Sequence, residues 1–152
     1  CNWWLGYIMT NVIEVRGGNA RERKIVEDVS SWCVRELLPK FRTLDIQIEM
    51  TNCMKDGAYG YALDHDDRNV FELEIARGLK LFDLITTVCH EMVHVKQYAR
   101  KELTCVGVQS RWKGESVGSR VQYHNLPWEK EAFKLQDVLA VKCLKDIYSD
   151  EY

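Results

Sequence analysis

The segment Cys89-His90-Glu91-Met92-Val93-His94 constrains this chain more than any other. It lies in a run whose apolar residues Leu81, Leu84, Ile85, Val88, Cys89, Met92, Val93 and Val95 recur at helical steps, so residues 81–100 are predicted to form a deeply buried helix. Residues four apart on a helix share one face, about 6 Å apart along the axis. His90 and His94 can therefore turn one ring nitrogen each toward a common point. Two neutral imidazoles converging in this way suit Zn²⁺, which binds nitrogen at about 2.0–2.1 Å. Glu91 projects to the side of that face, within reach of a water at the metal. Two nitrogen ligands and an adjacent base form a pattern associated with metal-assisted hydrolysis.

Such a helix needs elements to cover it, and the rest of the chain supplies them. Residues 20–38 carry Ile25, Val29, Trp32, Cys33 and Leu37 at helical spacing, and Pro39 ends the run. Before it, residues 11–15 form a short possible strand, broken by Arg16-Gly17-Gly18-Asn19. Residues 44–50 alternate strictly, with Leu44, Ile46, Ile48 and Met50 opposite Asp45, Gln47 and Glu49, the signature of a half-buried strand. Residues 59–63 and 70–76 are expected to pair as a hairpin with a long connection. A long irregular segment follows to Leu126, with 109–112 and 120–123 as a small hairpin around residues 113–119. Pro127 then opens a final helix, because proline fits the first turn where its missing N–H is not needed. Trp128, Ala132, Leu135, Leu139 and Cys143 mark the buried stripe of that helix.

A chain of 152 residues suits one domain with a single core. We expect residues 9–152 to form it, with Met9 as a natural start and residues 1–8 as an upstream extension or remnant. The net charge of −2 gives no global drive toward nucleic acid or membrane. No apolar run approaches the roughly 20 residues needed to span a bilayer. The six cysteines are widely spaced with no C-x-x-C, which favours reduced thiols and a cytoplasmic setting.

Two histidines do not complete a tight site, since catalytic zinc usually has three protein ligands and one open position. A third histidine ten residues after the first is excluded: Gln97 and Arg100 occupy the glycine and histidine positions of that longer motif. Downstream, Pro127-Trp128-Glu129-Lys130-Glu131-Ala132 offers two carboxylates. Glu129 is favoured, because the small Ala132 lies three residues on along the same face and permits close helix approach. Glu131 and His124 are the alternatives.

H-E-x-x-H followed by P-W-E-x-E-A resembles the small zinc metallopeptidases common in phage genomes, loosely grouped with gluzincin-type and SprT-like proteins. Trp112-Lys113-Gly114 and Tyr123 add to the likeness, which spans residues 59–133. The resemblance implies an α+β, zincin-like domain: a helix, a small mostly antiparallel sheet, the motif helix, a long loop and a C-terminal helix bearing a ligand. It implies one Zn²⁺ held by His90, His94 and Glu129. The SprT-like branch, which often uses a third histidine, keeps His124 open as a ligand. In this reading Glu91 takes a proton from a metal-activated water and passes it to the leaving amine. Tyr123 and His124 are the nearest candidates for an oxyanion donor. A peptide or protein substrate is expected along the strand from Val70 to Ile75, taken as a sheet edge.

A different class of function is a non-catalytic, zinc-stabilised binding module docking on DNA or a partner protein. Between residues 96 and 120 lie six basic residues, Lys96, Arg100, Lys101, Arg111, Lys113 and Arg120, with Trp112 among them. That stretch offers weak nucleic-acid contact in principle.

Overall fold

The computed structural model describes residues 10–52, 57–65 and 68–149. The expected extension at residues 1–8 and the start at Met9 lie outside them, as do Cys1 and Cys53.

Strand β1 (Val12–Gly17) leads into helix α1 (Ala20–Leu37), then strand β2 (Asp45–Thr51). Strands β3 (Gly60–Asp64) and β4 (Val70–Ala76) follow, then the motif helix α2 (Leu81–Ala99). A meander of β5 (Leu103–Val106), β6 (Gln109–Trp112) and β7 (Glu115–Ser116) precedes a short 3₁₀ turn (Tyr123–Asn125) and helix α3 (Pro127–Tyr148). The architecture is α+β. For the segment between α2 and α3 the sequence predicts an irregular loop with a hairpin arm at 120–123. It is instead a three-stranded antiparallel sheet, and residues 120–122 belong to no strand.

The main sheet has the order β1-β2-β4-β3. Both the β1–β2 and β2–β4 ladders are parallel, and only β3–β4 is antiparallel. The expectation of a mostly antiparallel sheet is therefore corrected to a mixed one. α1 is the crossover that lets β1 and β2 run the same way, as parallel neighbours require. β4 then enters between β2 and β3. Both of its hydrogen-bonding edges are taken, so residues 70–75 are not a free edge along which a peptide could pair. Among the described residues the outer strands are β1 and β3.

Register puts Ile46 opposite Phe71, Ile48 opposite Leu73 and Met50 opposite Ile75. These six side chains are buried on one face. Glu49, Glu72 and Glu74 occupy the other face and are exposed. A single cluster joins the buried face to Val26, Val29 and Trp32 of α1, to Ile85, Val88 and Met92 of α2, and to Ala132 and Ala140 of α3. Each such valine, leucine, isoleucine, phenylalanine or methionine side chain removed from water contributes about 1.5–3 kcal/mol, before chain entropy is subtracted.

The start of α1 carries a device that reaches the motif helix. Asn19 Oδ1 accepts from Glu22 N at 2.8 Å, and Glu22 Oε1 accepts from Asn19 N at 3.0 Å, a reciprocal cap. The other oxygen of Glu22 accepts from Gly78 N at 2.7 Å, two residues ahead of the Lys80 cap of α2. The cap of one helix thus fixes the approach to the next.

Three cysteines meet in the core, one from each helix: Cys33, Cys89 and Cys143 are fully buried. The sulfurs of Cys33 and Cys89 lie 3.9 Å apart. They are free thiols, as is the exposed Cys105. No described helix is long and apolar enough to cross a membrane.

Candidate metal centre

α2 presents His90, Glu91 and His94, each at least nine-tenths buried. α3 meets it through Ala132, which is fully buried, as the close-approach reasoning predicts. The first turn of α3 lays Glu129, 5% exposed, across the two rings. Glu129 Oε2 lies 3.2 Å from His90 Nε2, and Oε1 lies 2.9 Å from His94 Nε2. One ligand atom from each residue falls within 4.8 Å of the others, a group that could hold a metal ion.

The outer ring nitrogens are also engaged. His90 Nδ1 lies 2.8 Å from Gln136 Oε1, and His94 Nδ1 lies 2.8 Å from Gln97 Oε1. The orientation of Gln97 follows from its other contacts. Its Nε2 donates to the Trp128 carbonyl at 2.9 Å and to Glu131 Oε1 at 3.2 Å. Its oxygen is left for His94, and an amide oxygen only accepts, so His94 Nδ1 carries the proton. Gln97 is completely buried, and the sequence marks it only as the residue that breaks the longer histidine motif. Its position three residues after His94, on the same helical face, was the available signal. Gln136 gave no local signal, since it joins His90 across 46 residues.

Glu131 is placed beside the site. It accepts from Lys96 at 2.8 Å as well as from Gln97, and so supports His94 through Gln97 instead of facing the ligand group. His124 is exposed on the 3₁₀ turn. Its ring stands against Tyr123, with centroids 5.6 Å apart, and it belongs neither to the metal-ligating group nor to the cavity beside it. Tyr123 does reach the site, where its hydroxyl hydrogen-bonds Glu129.

Burial pushes the Glu91 carboxyl up; Glu129 adds to this and His94 and His90 oppose it, leaving it at about 7. Burial acts on Glu129 in the same direction. There it is outweighed by hydrogen bonds from His90, His94 and Tyr123, which hold that carboxyl at about 2. Two carboxylates side by side thus have opposite proton affinities, the mark of different roles. For His94, burial works downward but the Glu129 hydrogen bond and the charge of Glu91 prevail, raising it above 6.5. Burial and the charge of Glu129 push Tyr123 well above 10, so its hydroxyl keeps its proton at neutral pH.

Glu91 and His90 open on a cavity of about 540 Å³ between the beginning of β3, the first half of α2, and α3. Gly60 makes room for Glu91 there. A β-carbon at Gly60 would lie 2.9 Å from Glu91 Oε1 and 3.0 Å from both Glu91 Cγ and Thr87 Cγ2. In the sequence Gly60 reads only as part of the strand expected at 59–63. The lone glycine inside a strand pattern was the missed sign of a close approach.

The basic stretch is less available than its composition implies. Lys96 pairs with Glu102 and Glu131, both at 2.8 Å, and Arg100 donates to the Leu37 carbonyl at 2.9 Å. Lys113 lies over the Trp112 ring.

Comparison of the chain with family models, curated proteins and solved structures finds no match.

Proposed function

We propose that the chain is a zinc-dependent peptidase in which Glu91 is the general base for water attacking a peptide carbonyl. The observation that carries the metal is the convergence of two buried imidazoles and a buried carboxylate: the Glu129 oxygens stand 2.9 and 3.2 Å from the two ring Nε2 atoms, and one ligand atom of each residue lies within 4.8 Å of the others. Protons on the rings can bridge these contacts as hydrogen bonds, and a divalent cation that displaces them meets both nitrogens and the carboxylate at once.

The donor set fits zinc. Two imidazoles and one carboxylate are a catalytic zinc ligand set, whereas structural sites are closed by four protein ligands. A tetrahedral ion with bonds of about 2.0–2.1 Å sets its ligands roughly 3.3 Å apart, so the Glu129 contacts need only a slight opening. Bound there, zinc would act as a Lewis acid toward water and the substrate carbonyl.

The remaining roles belong to the chain. Gln97 and Gln136 engage the two Nδ1 atoms and so orient both rings with Nε2 toward Glu129. Glu91 lies outside the ligand group and faces the cavity, placed to take a proton from water and return it to the leaving amine. Tyr123 is the donor placed to meet charge developing on the carbonyl oxygen. Glu91→Gln tests the reading with zinc content and cleavage of unfolded casein measured together. The variant should keep its zinc and lose cleavage by two orders of magnitude or more. Cleavage at the unmodified rate would overturn the proposal.

A further inference from the structure

We infer that the pocket between the meander and the start of α3 is a second binding site, apart from the centre, for an apolar segment that carries an acidic residue. The segment belongs to the same polypeptide whose peptide bond reaches the metal, and to that extent the second site rests on the peptidase reading.

The pocket encloses about 540 Å³, as much as the cavity beside Glu91. None of its lining residues lies on α2, and none is charged. Val108, Val117, Val121, Leu126 and Trp128 supply its apolar surface. Val108 is fully exposed and Val121 is 38% exposed. Exposed apolar groups scattered singly need no explanation, but their convergence on one concavity does.

The rim states the charge of the occupant. Arg111 follows one lining residue, Ser110, and Arg120 lies between two others, Ser119 and Val121. Both arginines are exposed, and neither forms an ion pair among the described residues. An unpaired guanidinium is a fork for a carboxylate, so apolar side chains suit the hollow and one Asp or Glu suits its edge. A lysine-rich segment would meet like charge. A nucleic acid would suit the arginines but not the pocket, because single strands bind on open aromatic platforms. The two indoles here are half-buried and lie 6.4 Å apart, with Lys113 over Trp112.

The route to the centre is short. Trp128 borders this pocket and also the small hollow of about 120 Å³ lined by His94 and Glu129. Tyr123, whose hydroxyl hydrogen-bonds Glu129, comes two residues after Val121, a step of roughly 7 Å at most. Extended polypeptide rises about 3.3 Å per residue and covers that step in two or three residues. One chain can therefore occupy both places, and the second contact gains from being tethered to the first.

The test has two arms. In the first, fluorescein-labelled, blocked Leu-Glu-Val-Leu and Leu-Lys-Val-Leu and a labelled twelve-residue oligothymidylate are titrated into the zinc-loaded Glu91→Gln variant. Leu-Glu-Val-Leu should bind at least ten-fold more tightly than the other two. Adding Val121→Asp should weaken it ten-fold or more, and adding Arg111→Glu with Arg120→Glu should reverse the preference for Glu over Lys; retained zinc shows that each variant is folded. Equal peptide affinities, tighter binding of the oligonucleotide, or a preference that survives the arginine reversals overturns the inference. So does a dimer, seen by sedimentation, that Val121→Asp dissociates, since a second copy would then fill the pocket. In the second arm, unlabelled Leu-Glu-Val-Leu is added while the unmodified zinc-loaded protein cleaves unfolded casein. KM should rise with kcat unchanged, and the rise should vanish in the Val121→Asp variant; an equal rise in both overturns the inference. Selective binding in a protein that cleaves nothing leaves the pocket standing as a binding site and overturns only the peptidase reading.

Discussion

Replacing Gly60 by alanine plants a methyl group against the side chain proposed to do the chemistry. The added carbon would lie 2.9 Å from Glu91 Oε1 and 3.0 Å from its Cγ, while ordinary contact begins at 3.4 Å. The carboxylate must withdraw by roughly half an ångström, since carbon atoms reach their best separation at about 3.5–4.0 Å. It cannot do so by moving the backbone alone, because Thr87 Cγ2 blocks the same methyl at 3.0 Å and β3 is pinned to β4 through the Gly60–Ile75 pair. Overpacking of this kind costs about 1–3 kcal/mol of stability. Misplacing a reacting group by 1 Å costs on the order of 100-fold in rate. Gly60→Ala is therefore expected to lose roughly ten- to one-hundred-fold in kcat/KM, mostly in kcat, with zinc stoichiometry unchanged. Gly118→Ala is the control, since a β-carbon there meets nothing within 4 Å. The assay is hydrolysis of a fluorogenic peptide alongside metal analysis and thermal melting. Activity within twofold of the unmodified protein, with zinc in place, would refute the claim that Gly60 makes room for the base.

Three further outcomes follow from the same geometry. Gln97→Leu removes the acceptor of His94 and strands the Trp128 carbonyl, so zinc affinity should fall by about 10–100-fold in a chelator competition; unchanged affinity would remove Gln97 from the site's support. Added zinc should raise the melting temperature of the metal-depleted protein by mass action, and Glu129→Ala should abolish that rise; an equal rise in the variant would show that the ion binds elsewhere. Glu22 is held below its ordinary 4.5 by the N–H groups of Gly78 and Asn19. A lowered folded value means that its stabilisation is complete above the ordinary value and is lost as pH falls through the folded one. Glu22→Gln should cost about 1–3 kcal/mol at pH 7 and flatten the acid limb of the stability curve, read by urea titration at several pH values; equal losses at pH 7 and pH 3 would contradict it.

The helices were legible because each carries its own signal. The 3.6-residue apolar period of α1 and α2, Pro39 and Pro127 needed no tertiary information. The two histidines were legible for the same reason, and Glu129 because Ala132 announces a close crossing. Strand pairing was not. Alternation in 44–50 and 70–76 says which residues face the core, but a period of two is the same in parallel and antiparallel ladders. The hairpin of β3 and β4 was read correctly, while the insertion of β4 beside β2 depends on a crossover that no local pattern encodes. The meander after α2 was hidden because its strands have four, four and two residues, too short for periodicity to register. Gln136 and Gly60 act across long separations or through the absence of a side chain, and a linear scan for reactive residues passes over both.

The three sulfurs at the junction of the helices give the protein an internal clock. Cys33, Cys89 and Cys143 have no exposed surface, whereas Cys105 stands in water. Among the described cysteines, a maleimide reagent should label Cys105 at once and reach the three buried ones only when α1, α2 and α3 separate. The slow labelling rate then measures opening of the scaffold behind His90. Because Cys89 precedes a proposed ligand, zinc should slow that opening, and labelling would report occupancy of the centre without any substrate.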